Sequence, residues 1–345
     1  MREKIHAIAK KVLGEKNKEK LGLAKSKLFN LLDLIINYSR DGKLFYSHSM
    51  VFKQNTINKI ESRITLHYHS IEKGFLHENF RYRFGKHMVL ELIELLKSPM
   101  VVENHNRTQI AVGYLAICKY YQVHRNNEID ISDYFKYDDY EYFNNLSTMN
   151  FELIKNHNDI SFFEKSQSGF NDFSKSRMST RSFTGEKVSL ETINKVIELA
   201  KVAPSVCNRQ PVKVYYVEQK VKIDKILDIQ KGLKGFSDEI SQLLILVSDR
   251  NYYYSIGERN QLYIDGGVFL MNLLYALHYY KIGACPAHWG FNYKQDKEIQ
   301  KELNLSGSEK VICLIPIGIP KEEFKTTLSL RRKNEEILKI VKDNN

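Results

Sequence analysis

Apolar positions recur at helical spacing through the first half of the chain. "KLFNLLDLIINY", "MVLELIELLK" and "TQIAVGYLAICKYY" each repeat them every three or four residues. Strand-like alternation is scarce there, so residues 1–165 read as a mostly helical N-terminal domain. The polar stretches "YDDYEYFNNLSTMN" and "EKSQSGFNDFSKS" read as loops, the second as the linker to the C-terminal half. From Ser176 onward the period changes. "SLETINKVIELAKVA" predicts a helix capped by Ser189 and ended by Pro204. "VKVYYV", "LLILVSD" and "KVICLIPIGIP" are β-branched or apolar runs of strand length. "QLYIDGGVFLMNLLYALHYY" predicts a long helix, apolar nearly all round and therefore buried. Residues 166–345 thus read as an α+β domain, a sheet wrapped by helices.

Composition agrees with a folded protein. Of 345 residues, 43% are hydrophobic and 27% charged, and the 21 tyrosines and 18 phenylalanines supply large core side chains. The four cysteines, Cys118, Cys207, Cys285 and Cys313, are far apart with no Cys-x-x-Cys pair, which argues against a disulfide framework or a zinc site and for a reducing compartment. No apolar run reaches the length of a membrane span and no signal peptide is visible, so a cytoplasmic location is expected.

The formal charge of +11 changes the picture only slightly. Its basic residues are scattered and match no nucleic-acid motif, so no nucleic-acid partner is expected. Nine Lys or Arg among the first 27 residues admit contact with an anionic membrane surface, while a solvated helix is the simpler reading.

Two segments carry candidate chemistry. "SRMSTRSFT" places Arg177 and Arg181 around Met178 and Ser179, a rigid fork of donors suited to phosphate or to anionic carbonyl groups. "APSVCNRQP" comes after the next helix, where Pro204, Ser205, Asn208 and Gln210 form a polar turn leading into a strand; their amides suit the edge of a flat heteroaromatic ring. With the Asp-Gly helix "YIDGGVFLMNLLYALHYYKIGACP" and with "PIGIPKEEFK" before "RRKNEEIL", these segments, over roughly residues 176–340, resemble in type and order the nitroreductase family of FMN-dependent oxidoreductases.

That resemblance implies a nitroreductase-like mixed sheet, FMN as cofactor, NAD(P)H as possible electron donor, a small-molecule substrate and a homodimer. It implies flavin contacts from Arg177, Met178, Ser179, Arg181, Pro204, Ser205, Asn208, Gln210, from the turn of Cys285, Pro286 and Ala287, and from Arg331 or Arg332. The chain departs from the family at Ser329 and Leu330, where a second basic residue is common, and at Val212, where an aromatic is usual. Hydride transfer through flavin N5 needs no protein nucleophile, and no serine triad or Cys-His pair is found. A nicotinamide-independent flavin enzyme and a non-catalytic flavin-fold binding protein are the alternative readings.

The helical half holds "HYHSIEKGFLHENFRYRFGKH", with His67, His69, His77 and His87 near Glu72. Without a closed ligand spacing, no metal is assigned. Glu72, Lys73 and Arg81, with His288 and Trp289 from the other half, are the candidate substrate contacts. All flavin motifs lie after Ser176, so residues 1–165 are expected to govern substrate access rather than cofactor binding.

Overall fold

The computed structural model describes residues 15–48, 52–78, 80–253 and 255–341. The chain divides into two compact units, Met1–Gln54 with Tyr254–Arg259, and Asn55–Tyr253 with Asn260–Asn345. In the first unit, helix α1 (Glu15–His48) carries Leu28, Phe29, Leu32, Ile35 and Ile36 exposed, and Asp41 accepts from the Arg259 guanidinium at 2.7 and 2.9 Å. Most of the basic N-terminal segment lies outside the described residues. No described helix is long and apolar enough to cross a membrane.

The second unit begins with four helices, α2 (Ile57–Gly74), α3 (Lys86–Lys97), α4 (Thr108–Asn126) and α5 (Tyr137–Leu146). Ile64 and Ile71, Leu92 and Leu96, and Ile110 and Ile117 fall four or seven residues apart, on one face of each helix, and close a core of their own. The stretch expected as a loop at 137–150 is mostly the helix α5. Its inward side chains are mostly aromatic: Phe143 is fully buried and Tyr140 stacks on Tyr121 at 4.6 Å, with Leu146 also packed on the core. The expected linker is likewise partly helical, over Phe170–Ser176.

Strand β1 (Ile154–Asn158) comes next, followed by α6 (Leu190–Ala200), β2 (Val212–Val217), α7 (Lys220–Gln230) and β3 (Gln242–Asp249). The remainder is α8 (Gln261–Tyr279), β4 (Gly283–Ala284), β5 (Ala287–His288), α9 (Tyr293–Leu303), β6 (Glu309–Gly318) and β7 (Glu323–Thr327). As expected, Ser189 caps α6, its hydroxyl accepting from Thr192 N at 3.2 Å.

The main sheet runs β2-β3-β6-β4, with β5 also on β6, and every pairing among the described strands is antiparallel. Strand β3 is buried along its whole length because it separates two cores. Leu243, Ile245 and Val247 face α7 and α9, and Leu244 and Leu246 face α6 and α8. The two-residue period of a strand sends alternate side chains to opposite faces, so a continuous apolar run is what such a central strand needs.

The contacts place no division at residue 165: helices α2–α5 share a compact unit with the sheet. Strand β1 pairs with β7, from Ile154 opposite Thr327 to Asn158 opposite Glu323. Beyond β7 the tail returns to the helices. Leu330 packs on their core, its carbonyl accepts from Gln109 Nε2 at 3.2 Å, and Glu336 accepts from the Thr108 hydroxyl. The Glu61 carboxylate, 1% exposed, accepts from Arg332 Nη1 at 2.9 Å and from Arg107 Nη2 at 2.5 Å.

Removing that carboxylate leaves two guanidinium groups without their shared partner. Glu61→Ala is expected to lower unfolding stability by about 3 kcal/mol, read from urea unfolding. A loss within experimental error would mean that water already satisfies both arginines.

Candidate functional site

Residues 177–182 leave the short helix Phe170–Ser176 in extended form along the end of the sheet, where Thr180 N donates to Ala284 O at 2.9 Å. Alternate positions turn inward: Met178 packs against Phe162, Phe163 and Phe324, and Thr180 is fully buried. Arg177, Ser179 and Arg181 stay half-buried.

The two arginines have cationic neighbours from distant parts of the chain. Arg177 feels Arg331 of the tail, and Arg181 feels Lys73 at the end of α2. Burial first, and then these neighbours, disfavour the charge on Arg177 and on Lys73. Among the described residues, none of Lys73, Arg177, Arg181 and Arg331 forms an ion pair. Arg181 Nη1 and Thr180 Oγ1 are buried with no hydrogen-bond partner. A group of partly desolvated like charges with unused donors is costly unless an anion meets it. A phosphate and the electron-rich edge of a flavin ring have the chemistry this donor set accepts, so the residues present fit FMN.

Cys285 sits among these cations and is 2% exposed. Burial pushes its thiol up, against the pull of Arg181, Lys73 and Arg177. The turn it opens with Pro286 and Ala287 lies between β4 and β5, and Cys285 N donates to Pro316 O at 3.2 Å.

The polar turn lies elsewhere. Val206 N donates to Asp265 Oδ1 at 3.2 Å, near the start of α8, and Gln210 N donates to Ser205 Oγ at 2.9 Å. Cys207, Asn208 and Gln210 hold φ of 49, 56 and 51°, a left-handed conformation that costs side-chain-bearing residues and persists where surrounding contacts enforce it. The arginine strip instead meets the other end of the same helix, where Ser176 Oγ lies 2.7 Å from His278 Nε2. Thirteen residues of helix between Asp265 and His278 span roughly 20 Å. One chain therefore brings Arg177, Arg181, Lys73 and Cys285 together, with Arg331 acting on Arg177, and leaves Pro204, Ser205, Asn208 and Gln210 apart from them.

Of the two tail arginines, Arg332 is engaged by Glu61, and Arg331 is the one beside Arg177. The remaining candidates also separate. Glu72 is buried and bonded to His69 Nδ1 at 2.8 Å, so it faces no ligand. Trp289 is 6% exposed, within a core, and its indole N–H donates to Asp296 Oδ1 at 2.7 Å, which corrects its assignment to substrate. His288 is exposed. Arg81 and Arg181 both line a cavity of about 1230 Å³ with His77, Lys234 and Phe236. The position of Lys73 beside Arg181 had no sequence signal beyond its charge, whereas Asp265 was signalled by the Asp-Gly helix that now anchors the turn.

Comparison with known proteins adds to this geometry. The nitroreductase family model matches residues 174–234 and 230–319. An FMN-dependent nitroreductase from Clostridium difficile is 21% identical, covering 50% of this chain and 96% of its own, with a TM-score of 0.39. A candidate nitroreductase in complex with FMN from Desulfovibrio desulfuricans is 23% identical, covering 49% and 94%, with a TM-score of 0.40. None of the curated proteins compared with the chain matches it. The main sheet and residues 177–182 fall within the span matched to that family. Residues 174–319 match the nitroreductase family model, and the helical layer of α2–α5 precedes that match.

His278, beside Ser176 and within reach of Arg177, is lowered to about 4 by burial and then by that arginine. Between pH 6.5 and 4 the unfolded chain therefore binds the extra proton, and stability falls as the pH falls. His278→Gln should shrink the stability difference between pH 7 and pH 5 by roughly 1–2 kcal/mol in urea unfolding. An unchanged difference would show that His278 titrates alike in both states.

Proposed function

We propose that the protein works as a homodimer that takes a hydride from NAD(P)H and delivers it, in a second step at the same site, to a small-molecule acceptor. The observation that carries this reading is the pair Arg177 and Arg181, held half-buried near Cys285, with the exposed Arg331 acting on Arg177 and no acidic partner for any of the three among the described residues. Arg177 and Arg331, with Ser179, would hold the cofactor phosphate. Arg181, with its unpartnered Nη1, would face the pyrimidine edge of the ring. When bound, FMN supplies N5 as the hydride carrier. A fixed guanidinium at the ring edge favours the negative charge that accumulates there on reduction.

The Cys285–Ala287 turn would form a wall of the ring site. Its thiol stays neutral under burial, so it packs rather than reacts. No acid–base residue is required for hydride delivery, and one open face can serve donor and acceptor in turn, which is a ping-pong cycle.

The dimer follows from the separation along α8. Ile264, Val268 and Met271 are exposed on that helix, with Leu199 and Val202 near the end of α6. Such an apolar face is suited to a second copy. Two copies crossing in opposite directions along α8 would bring the Ser205–Gln210 turn of one to the arginine strip of the other. Each site would then use both chains.

The purified protein should be yellow and release FMN on denaturation, and NADH or NADPH should bleach the flavin absorbance under anaerobic conditions. Arg177→Ala should raise the FMN dissociation constant by about tenfold or more, through loss of charge-assisted hydrogen bonds. A protein that stays colourless after incubation with FMN sinks the reading.

Light scattering should give twice the 40.5 kDa chain mass. Ile264→Asp combined with Val268→Asp should reduce it to one chain and lower FMN affinity together. A single-chain mass for the unaltered protein at every concentration would exclude the shared site.

A further inference from the structure

We propose that the helical layer builds an anion pocket beside the cofactor strip, one that selects an acceptor carrying a carboxylate or phosphate on a flat unsaturated body. The inference rests on the FMN reading for its role, although the pocket itself is a feature of this chain alone. A cavity of about 540 Å³ opens between the end of α2, the 81–85 loop and the 232–236 loop. Its charged lining is Lys73, Arg81, Arg83 and Lys234, and no Asp or Glu lines it. Arg83 is already neutralised, since its Nη2 donates to both carboxylate oxygens of Asp133 at 2.7 Å. Lys73, Arg81 and Lys234 form no ion pair among the described residues.

Three like charges around one half-open pocket repel each other, although Arg81 and Lys234 are exposed. Lys73, half-buried next to Arg181, has the least water to screen it. The carboxylates of the adjoining cavity, Glu78 and Glu239, pair with Lys321 instead, and a bound anion would offset the repulsion. The pocket also has a flat wall, where the His77 ring stacks on Phe236 with centroids 4.5 Å apart and planes 18° from parallel. Gly235 permits the stack. Its φ is +88°, and a Cβ there would come within 2.8 Å of His77 Cε1. Cations at one end and stacked rings at the other suit an aromatic or conjugated anion better than inorganic phosphate.

Position supplies the link to chemistry. His77, Arg81, Lys234 and Phe236 also line the larger cavity of about 1230 Å³ that reaches Arg181. That volume exceeds the roughly 300–1,000 Å³ of a single small-molecule site. An anion held by Lys73 and Arg81 would therefore have its unsaturated body directed to the space where the cofactor ring is expected. The helical layer, which lies outside the residues matched to the family, would set the choice of acceptor through charge.

The test is equilibrium dialysis of the purified protein against 4-nitrobenzoate and its neutral isostere 4-nitrobenzamide, with flavin content read from the absorbance of the same samples. The anion should bind at least about tenfold tighter, with a preference that shrinks as salt rises. Arg81→Gln and Lys73→Gln should each reduce the preference to about threefold or less. Equal affinity for the two probes, or a preference that survives both substitutions, overturns the pocket. So does a preference abolished by Arg177→Ala and untouched by Arg81→Gln, because the anion would then occupy the cofactor strip. If the preference and its loss in the variants are seen in protein that takes up no flavin, the pocket stands and the FMN reading fails.

Discussion

One buried carboxylate organises much of this molecule. Glu61 lies on the first helix of the second unit, and it holds Arg107 from the same layer and Arg332 from the tail. A carboxylate at 1% exposure is tolerated because both of its oxygens accept charged hydrogen bonds. Since Arg332 is fastened there, the preceding residue, Arg331, is set beside Arg177. The helical layer therefore shapes the cationic strip from outside the segment that matches the family.

The strip itself is an unbalanced arrangement. Elsewhere in the second unit charges are matched: Arg63 with Glu91, Lys213 with Glu309, Lys321 with both Glu78 and Glu239. Around Cys285 the cations stand together instead, with Arg181 Nη1 buried and unpartnered. A fold that pairs its charges in so many places and leaves these unpaired has stored unfavourable electrostatic energy where a ligand can release it. The left-handed turn at Cys207, Asn208 and Gln210 stores backbone strain in the same way, at the other end of α8.

Much of the architecture was legible from pattern alone. Strands β2, β3 and β6 are apolar or β-branched runs, and Ser189 caps its helix as its position suggests, because these features depend on near neighbours. Strand β1 was not legible. "IKNHN" has little apolar content, and its place is set by pairing with β7, about 170 positions later in the chain. Helix α5 was hidden because tyrosines and a single phenylalanine, with only Leu146 as an aliphatic, make most of its inner face. At the site, Arg177 and Arg181 were legible through motif order. That Ser205 and Asn208 would lie a helix-length away was not, since spacing along the chain says nothing about which end of α8 each segment meets. That Arg332 would pair with Glu61 was equally hidden, since the two are far apart in the chain.

The clasp also has a consequence for synthesis. Glu61 and Arg332 are 271 residues apart, and β1 waits for β7. On the ribosome the helical layer can emerge and collapse early, but its buried carboxylate has only Arg107 until Arg332 leaves the exit tunnel. Emergence of the segment beyond β7, rather than the appearance of any strand of the sheet, is then the event that completes the strip. Such late closure between distant segments is slow compared with local helix formation. A chain truncated just before Arg331 would keep every strand of the sheet yet lack both tail arginines, so the clasp on Glu61 cannot close while that segment is still inside the tunnel.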